Sequence, residues 1–311
     1  MIDTSDTDFE DTRDKRHPFT QLLIFIVVFT VFFFIGNIVG AGLITAIYGV
    51  KTLLAIGSLN IAAPHFVAAL WILQIAGTTL PILIAPLIFS YAVTNHPQEY
   101  LKAGFRFPWG LIVVILTIMF ISAPVIEFLS NINQKMVLPP FLKWMRDSEN
   151  SAQKITEAML HMNNIFDLVV DVLLIGLLTA IVEEFMFRGV LQTIFIRWTN
   201  STHAAIWITA VLFSAFHMEF FGFLPRLMLG LLFGYFVAWS GSIWTGVWAH
   251  FINNTTAVIV TYLFSHKLIK LDPDDQHVFN YSGYLFSFVV LLFLLFLYRK
   301  IAYENKQLSE H

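Results

Sequence analysis

Eight long apolar runs divide this chain, at 19–48, 66–93, 109–129, 166–198, 203–218, 223–239, 243–264 and 281–298. A helix needs about 20 apolar residues to cross hydrocarbon, and backbone polar groups cannot face lipid unpaired. The runs therefore predict an all-α fold, a polytopic transmembrane helical bundle of about eight spans. Composition agrees: 57% of the residues are hydrophobic and 13% charged, more apolar side chain than one water-soluble core of 311 residues can hide.

The segments between the runs suggest how the chain is organised. Residues 1–18 are rich in both Asp and Arg or Lys and read as a solvated tail. The first run is too long for a cleavable signal and reads as a retained anchor. We expect N-terminal spans over 19–130, an extramembrane or interfacial loop over 131–165, a catalytic transmembrane core over 166–303 and a short tail over 304–311. Pro81 and Pro86 could split the second run, and the fourth is overlong at roughly 50 Å against a hydrocarbon core of roughly 30 Å. Lys and Arg divide almost evenly between the two sides, with clusters beside the first and last spans favouring cytoplasmic termini. A net charge of −3 offers no basic field for nucleic acid, so none is expected as a partner. The absence of cysteine removes thiolate chemistry, and catalysis falls to Glu, Asp, His, Ser, Asn or Arg.

Ionisable groups inside apolar spans are costly and mark functional sites by default. Three clusters stand out: Glu183, Glu184 and Arg188 in the fourth run, Phe213 and His217 in the fifth, and His250 and Asn254 in the seventh. Glu184 and Arg188 are four apart with the acid first, the favourable order for an intrahelical ion pair, while Glu183 is turned about 100° away. Glu183 is thus the carboxylate left free. An unpaired carboxylate in apolar surroundings takes up a proton readily, which suits a general base working on water. His250 and Asn254 share one helix face, and both can donate to a developing oxyanion. If the fourth and fifth runs form a hairpin about 199–202, the Glu pair and His217 lie level. Following straight helices onward, His250 falls about 10 Å off that level.

Each group also has a purely structural reading. Glu184 with Arg188 could be only a buried ion pair, His217 an interfacial histidine, Asn253 or Asn254 interhelical glue, and Phe213 one of 32 phenylalanines. Gly36 and Gly40, and Gly230 with Gly234, read as small-residue contacts between helices. The conjunction of the three clusters is what lifts the functional reading.

That conjunction, Glu183-Glu184-xxx-Arg188, Phe213-xxx-His217 and His250-xxx-Asn254 in order on three apolar runs, resembles the CPBP family of intramembrane proteases. The group includes the CaaX-processing Ras-converting endopeptidase and bacterial Abi self-immunity proteins. The resemblance implies an intramembrane endopeptidase in which Glu183 activates water with help from His217. His250 and Asn254 would stabilise the oxyanion, and Glu184, Arg188 and Phe213 would order the site. It further implies a membrane-associated protein or peptide substrate and a place in a bacterial cell membrane. The family is often classed with metalloproteases. No HExxH is present, and a metal on His217 and His250 would leave Glu183 and Glu184 to divide ligand and base duties. Metal-independent water activation is the expectation, with zinc left open. Two other readings compete: a proton-coupled transporter using the same carboxylates, and a catalytically inactive immunity or scaffold protein.

Overall fold

The computed structural model describes residues 16–105, 107–273, 275 and 277–309; most of the expected N-terminal tail, and the end of the C-terminal one, lie outside the described residues. The helices are α1 (Pro18–Tyr48), α2 (Val50–Gly57), α3 (Phe66–Val93), α4 (Gly110–Gln134), α5 (Lys143–Met159), α6 (Ile165–Thr199), α7 (Thr202–Phe216), α8 (Phe223–Ser240), α9 (Ile243–Ser265) and α10 (Tyr281–Ser309). The described residues contain no strand.

All eight apolar runs are helical, so the all-α bundle stands. Among the described residues six helical segments are long and apolar enough to cross a membrane. The two that fall short are informative. Helix α7 has only 15 residues, and α9 is diluted by His250, Asn253, Asn254, Thr255 and Thr256. Both carry residues singled out for chemistry; α7 falls short by length alone, while in α9 the polarity needed at a site weakens the span signal in the sequence.

Helix α3 is not split at its prolines. It widens into a π-helical turn at Ile75–Thr79, just ahead of Pro81. The Pro81 ring would clash with the carbonyl four residues back, that of Gly77. The wider turn releases that carbonyl, and Asn37 Nδ2 of α1 donates to it at 3.0 Å. Gly36 makes the approach feasible, because a Cβ there would lie 2.1 Å from the Ala76 oxygen. Gly230 and Gly234 do the same for α8 against Ala210 and Ile206 of α7.

The overlong fourth run also stays continuous. Helix α6 widens twice, at Val172–Leu178 and Phe185–Leu191, leaving one ordinary turn, Thr179–Glu184, between the two π segments. Such widenings each change the rotation of everything beyond them and recur at functional sites. In the loop after α4, helix α5 lies with Ile155 and Met159 packed near Ala55, Phe66 and Leu70. Phe141 and Trp144, at and just before its start, are exposed.

At the opposite end, the loop after the short turn Pro97–Tyr100 clamps the junction of α8 and α9. Ile243 N–H donates to the Lys102 carbonyl at 2.9 Å, and Trp244 Nε1 to that of Ala103 at 2.8 Å. The Lys102 ammonium donates to Thr193 Oγ1 at 2.7 Å. Burial first, and the nearby Arg197 second, lower the Lys102 pKa from 10.5 to about 8. Between those values the unfolded chain holds a proton that the folded chain has released, so stability rises as pH climbs from about 8 to about 10.5. Melting temperatures in detergent should therefore increase from pH 8 to pH 10, and the increase should shrink in Lys102→Met. An equal rise in both proteins would show that Lys102 is not its source.

Candidate active site

The three motif clusters meet in the middle of the bundle. Glu184 and Arg188 are fully buried, His250 is 4% exposed and Glu183 8%. Arg188 Nη1 donates to Glu184 Oε1 at 2.7 Å, as the i,i+4 spacing implies, and Nη2 donates to the Gly230 carbonyl at 3.0 Å. Its guanidinium lies 4.6 Å from the Phe213 ring centroid and 5.3 Å from that of Phe233, so aromatic faces supply much of what water would otherwise give the cation. Arg188 thus ties α6 to α8 and packs against the conspicuous Phe of α7.

His250 stands between the two carboxylates. Its Nδ1 is 3.0 Å from Glu184 Oε1 and its Nε2 is 3.9 Å from Glu183 Oε2. The ring stacks on Phe233 with centroids 4.9 Å apart and meets Phe213 edge-on at 5.8 Å. This corrects the expectation that His250 lies about 10 Å off the level of the Glu pair. That estimate carried depth along α7 and α8 as straight, parallel rods. Helix α9 instead packs directly on α6, and the π segments reset which α6 residues face it. Gly246, one turn before His250, permits the contact: a Cβ there would fall 2.7 Å from Glu184 Oε2. The Gly246-xxx-His250 spacing was the available signal for this approach, and sequence reasoning passed over it.

His217 makes its contacts within its own helix. It follows the last turn of α7, where carbonyls lack helical partners, and its Nδ1 turns back to the Phe213 carbonyl at 2.8 Å. Its ring packs on Phe213 at 5.0 Å, so it reaches His250 and Arg188 through that phenylalanine. Among the described residues no hydrogen bond or ion pair joins His217 to Glu183, Glu184 or His250.

Asn254 is held in place. Its Nδ2 donates to the Ile175 carbonyl at 3.1 Å, within the first π segment of α6, and its Oδ1 accepts from Asn253 Nδ2 at 3.2 Å. An amide nitrogen carries two hydrogens, so one N–H can still serve a ligand. Further residues that sequence reasoning did not single out complete the surroundings. Phe233 stacks on His250, and buried Gln192, one turn after Arg188, donates to the Gly234 carbonyl at 3.2 Å.

The donor set does not suit a metal. Among the described residues no three His, Asp or Glu side chains are grouped so that they could hold an ion. The His250 Nδ1 is already engaged with Glu184 and the His217 Nδ1 with a backbone carbonyl. What the arrangement offers instead is a carboxylate oxygen, Glu183 Oε2, buried with no hydrogen-bond partner and facing an oriented imidazole.

Comparison with known proteins bears on this same stretch. Residues 165–256 match the family described as type II CAAX prenyl endopeptidase Rce1-like. Over 112 residues the chain is 30% identical to the uncharacterized protein YpbD of Bacillus subtilis (strain 168), covering 34% of this chain and 52% of that protein. The chain thus spans about half the length of this curated relative. No solved structure matches it. The segment holding Glu183, Glu184, Arg188, Phe213, His217, His250 and Asn254 is therefore similar to the Rce1-like type II CAAX prenyl endopeptidases, the group to which its three motifs point.

Proposed function

We propose that the protein is an intramembrane endopeptidase that hydrolyses peptide bonds in or near the bilayer, with 166–303 as its catalytic core. The observation that carries this reading is Glu183 Oε2, buried without a hydrogen bond and 3.9 Å from an imidazole that Glu184 orients. The family match over 165–256 supports a CAAX-protease-like activity at family level.

In this mechanism water binds between Glu183 and His250. Glu183 takes its proton as the oxygen attacks the scissile carbonyl, so an O–H bond breaks and a C–O bond forms. The free N–H of Asn254 donates to the resulting oxyanion, while His250, its Nδ1 held by Glu184, keeps the attacking water in place from Nε2. Collapse breaks the C–N bond, and the proton held by Glu183 passes to the leaving amine. Glu184 and Arg188 keep His250 in orientation, and Phe213 packs the guanidinium in place. His217 acts at the edge of the site, through Phe213. The substrate is a membrane-associated protein or peptide, and the location is a bacterial cell membrane, in keeping with the Bacillus relative.

The direct test uses purified protein in nanodiscs with fluorogenic CAAX peptides, with and without a prenyl group. A parallel comparison of membrane proteomes with wild type and Glu183→Gln should reveal a protein whose terminus changes. Cleavage that is absent from wild type in both assays would refute the reading. A transporter would instead lose uptake on the Glu183 change, and a scaffold would lose neither.

We also expect cleavage to survive exhaustive chelation, because a catalytic zinc needs three protein ligands and an open position that this donor set does not group. Metal content of active protein should be well below one per chain. Reversible loss on chelation, restored by zinc and absent in His217→Ala, would overturn this.

A further inference from the structure

A hydrolase inside a bilayer needs a supply of water, and Glu183 lies near the middle of the 35-residue α6, about 25 Å from either end at 1.5 Å per residue. A route of that length through a bundle has to be lined with polar groups. The α6 half that leads from Ile165 to Glu183 has them. Asp171 is 4% exposed inside the span, and its Oδ2 is buried without a hydrogen bond. Thr255 Oγ1 of α9 is likewise buried and unpartnered, and lies so close to α6 that a Cβ on Gly176 would be 2.5 Å from it. Next along α6 comes Thr179, four residues before Glu183 and so on nearly the same face, its hydroxyl on the Leu174 carbonyl at 3.1 Å.

Space accompanies this lining. A cavity of about 290 Å³ lies beneath α5, and Gln74, Thr79, Thr156, Ile175 and Thr179 are among its walls. Liquid water occupies roughly 30 Å³ per molecule, so several fit. The cavity therefore reaches the π segment one turn short of the base. Of the two glutamates, only Glu183 keeps side-chain surface, 11% against none for Glu184. Buried polar atoms without protein partners are usually satisfied by ordered water, and Asp171 Oδ2, Thr255 Oγ1 and Glu183 Oε2 are all of this kind.

We infer that water reaches Glu183 along α6 from its Ile165 end, first past Asp171 and then beside the π segment Val172–Leu178, where Thr255 and the cavity beneath α5 flank the helix; Asp171 and Thr255 are positioning residues for that water and do not touch substrate. The role of the water rests on the reading of Glu183 as the base; the route itself is tested without reference to cleavage.

The chain has no cysteine, so single cysteines report cleanly. Thr255→Cys and Thr179→Cys, in otherwise unaltered protein in nanodiscs, should react with a charged methanethiosulfonate roughly tenfold faster than Leu173→Cys, since the reactive thiolate forms where water solvates it. Leu173 sits on the same π segment but is 51% exposed on the outside of the bundle, where lipid would cover it. Rates at both positions no faster than at Leu173 would overturn the route, even if Glu183 proves to be the base. Asp171→Leu should slow labelling at Thr255→Cys and lower kcat on the fluorogenic peptide by roughly five- to tenfold, about the weight of one hydrogen bond, with KM unchanged. Asp171→Asn, which can still hold water, should recover most of both. A fall in kcat with labelling unchanged, or no recovery in Asp171→Asn, would make Asp171 merely structural and remove it from the route.

Discussion

Glu183→Gln should abolish cleavage while leaving the protein inserted and folded. The amide keeps the size of the side chain and can still hydrogen-bond, but it cannot take a proton from water. Removing a general base typically costs on the order of 10² to 10⁴ in rate. The fold should tolerate the change, because Glu183 Oε2 has no hydrogen bond to lose and the ion pair that ties the helices belongs to Glu184. Purified Glu183→Gln that still cleaves the fluorogenic peptide would sink the assignment. Loss confined to Glu184→Gln would exchange the two roles. Glu184→Gln is the harder case to read, since Glu184 Oε1 meets both Arg188 Nη1 and His250 Nδ1, so its replacement disturbs folding and chemistry together.

The division of labour between the carboxylates shows what a sequence can and cannot carry in a membrane bundle. The Glu184–Arg188 contact is local, set by one turn of one helix, and the i,i+4 spacing was enough to anticipate it. The bundle itself was legible because apolar runs of bilayer length have few other solutions. The meeting of His250 with both glutamates is different in kind. It depends on how far α9 can approach α6, which Gly246 decides, and on helical phase, which two π segments reset. No residue type announces a π turn, so rods drawn with ordinary helical geometry placed His250 too far away. His217, level with the Glu pair by counting from the hairpin, engages its Nδ1 with the Phe213 carbonyl at the end of its own helix, a local contact that counting along the chain does not register.

Arg188 is expected to be structural before it is catalytic, and its replacement by alanine should carry the largest stability effect in the molecule. The side chain is fully buried, and it bonds Glu184 of its own helix and the Gly230 carbonyl of α8 while packing against the Phe213 and Phe233 rings. Arg188→Ala removes the cation and leaves a fully buried carboxylate with His250 as its remaining partner, besides opening a cavity among aromatic rings. Breaking a buried pair in this way costs roughly 3 to 5 kcal/mol in soluble proteins, because the abandoned charge stays desolvated. Thermal stability in detergent and cleavage should therefore fall together. Arg188→Lys should fall between wild type and alanine, since an ammonium restores the charge but not the planar fork that reaches Glu184 and Gly230 at once. An Arg188→Ala protein of normal stability and no activity would instead place the guanidinium on the substrate. Glu184 would then have to be held by His250 alone, a geometry that a structure of the variant would reveal.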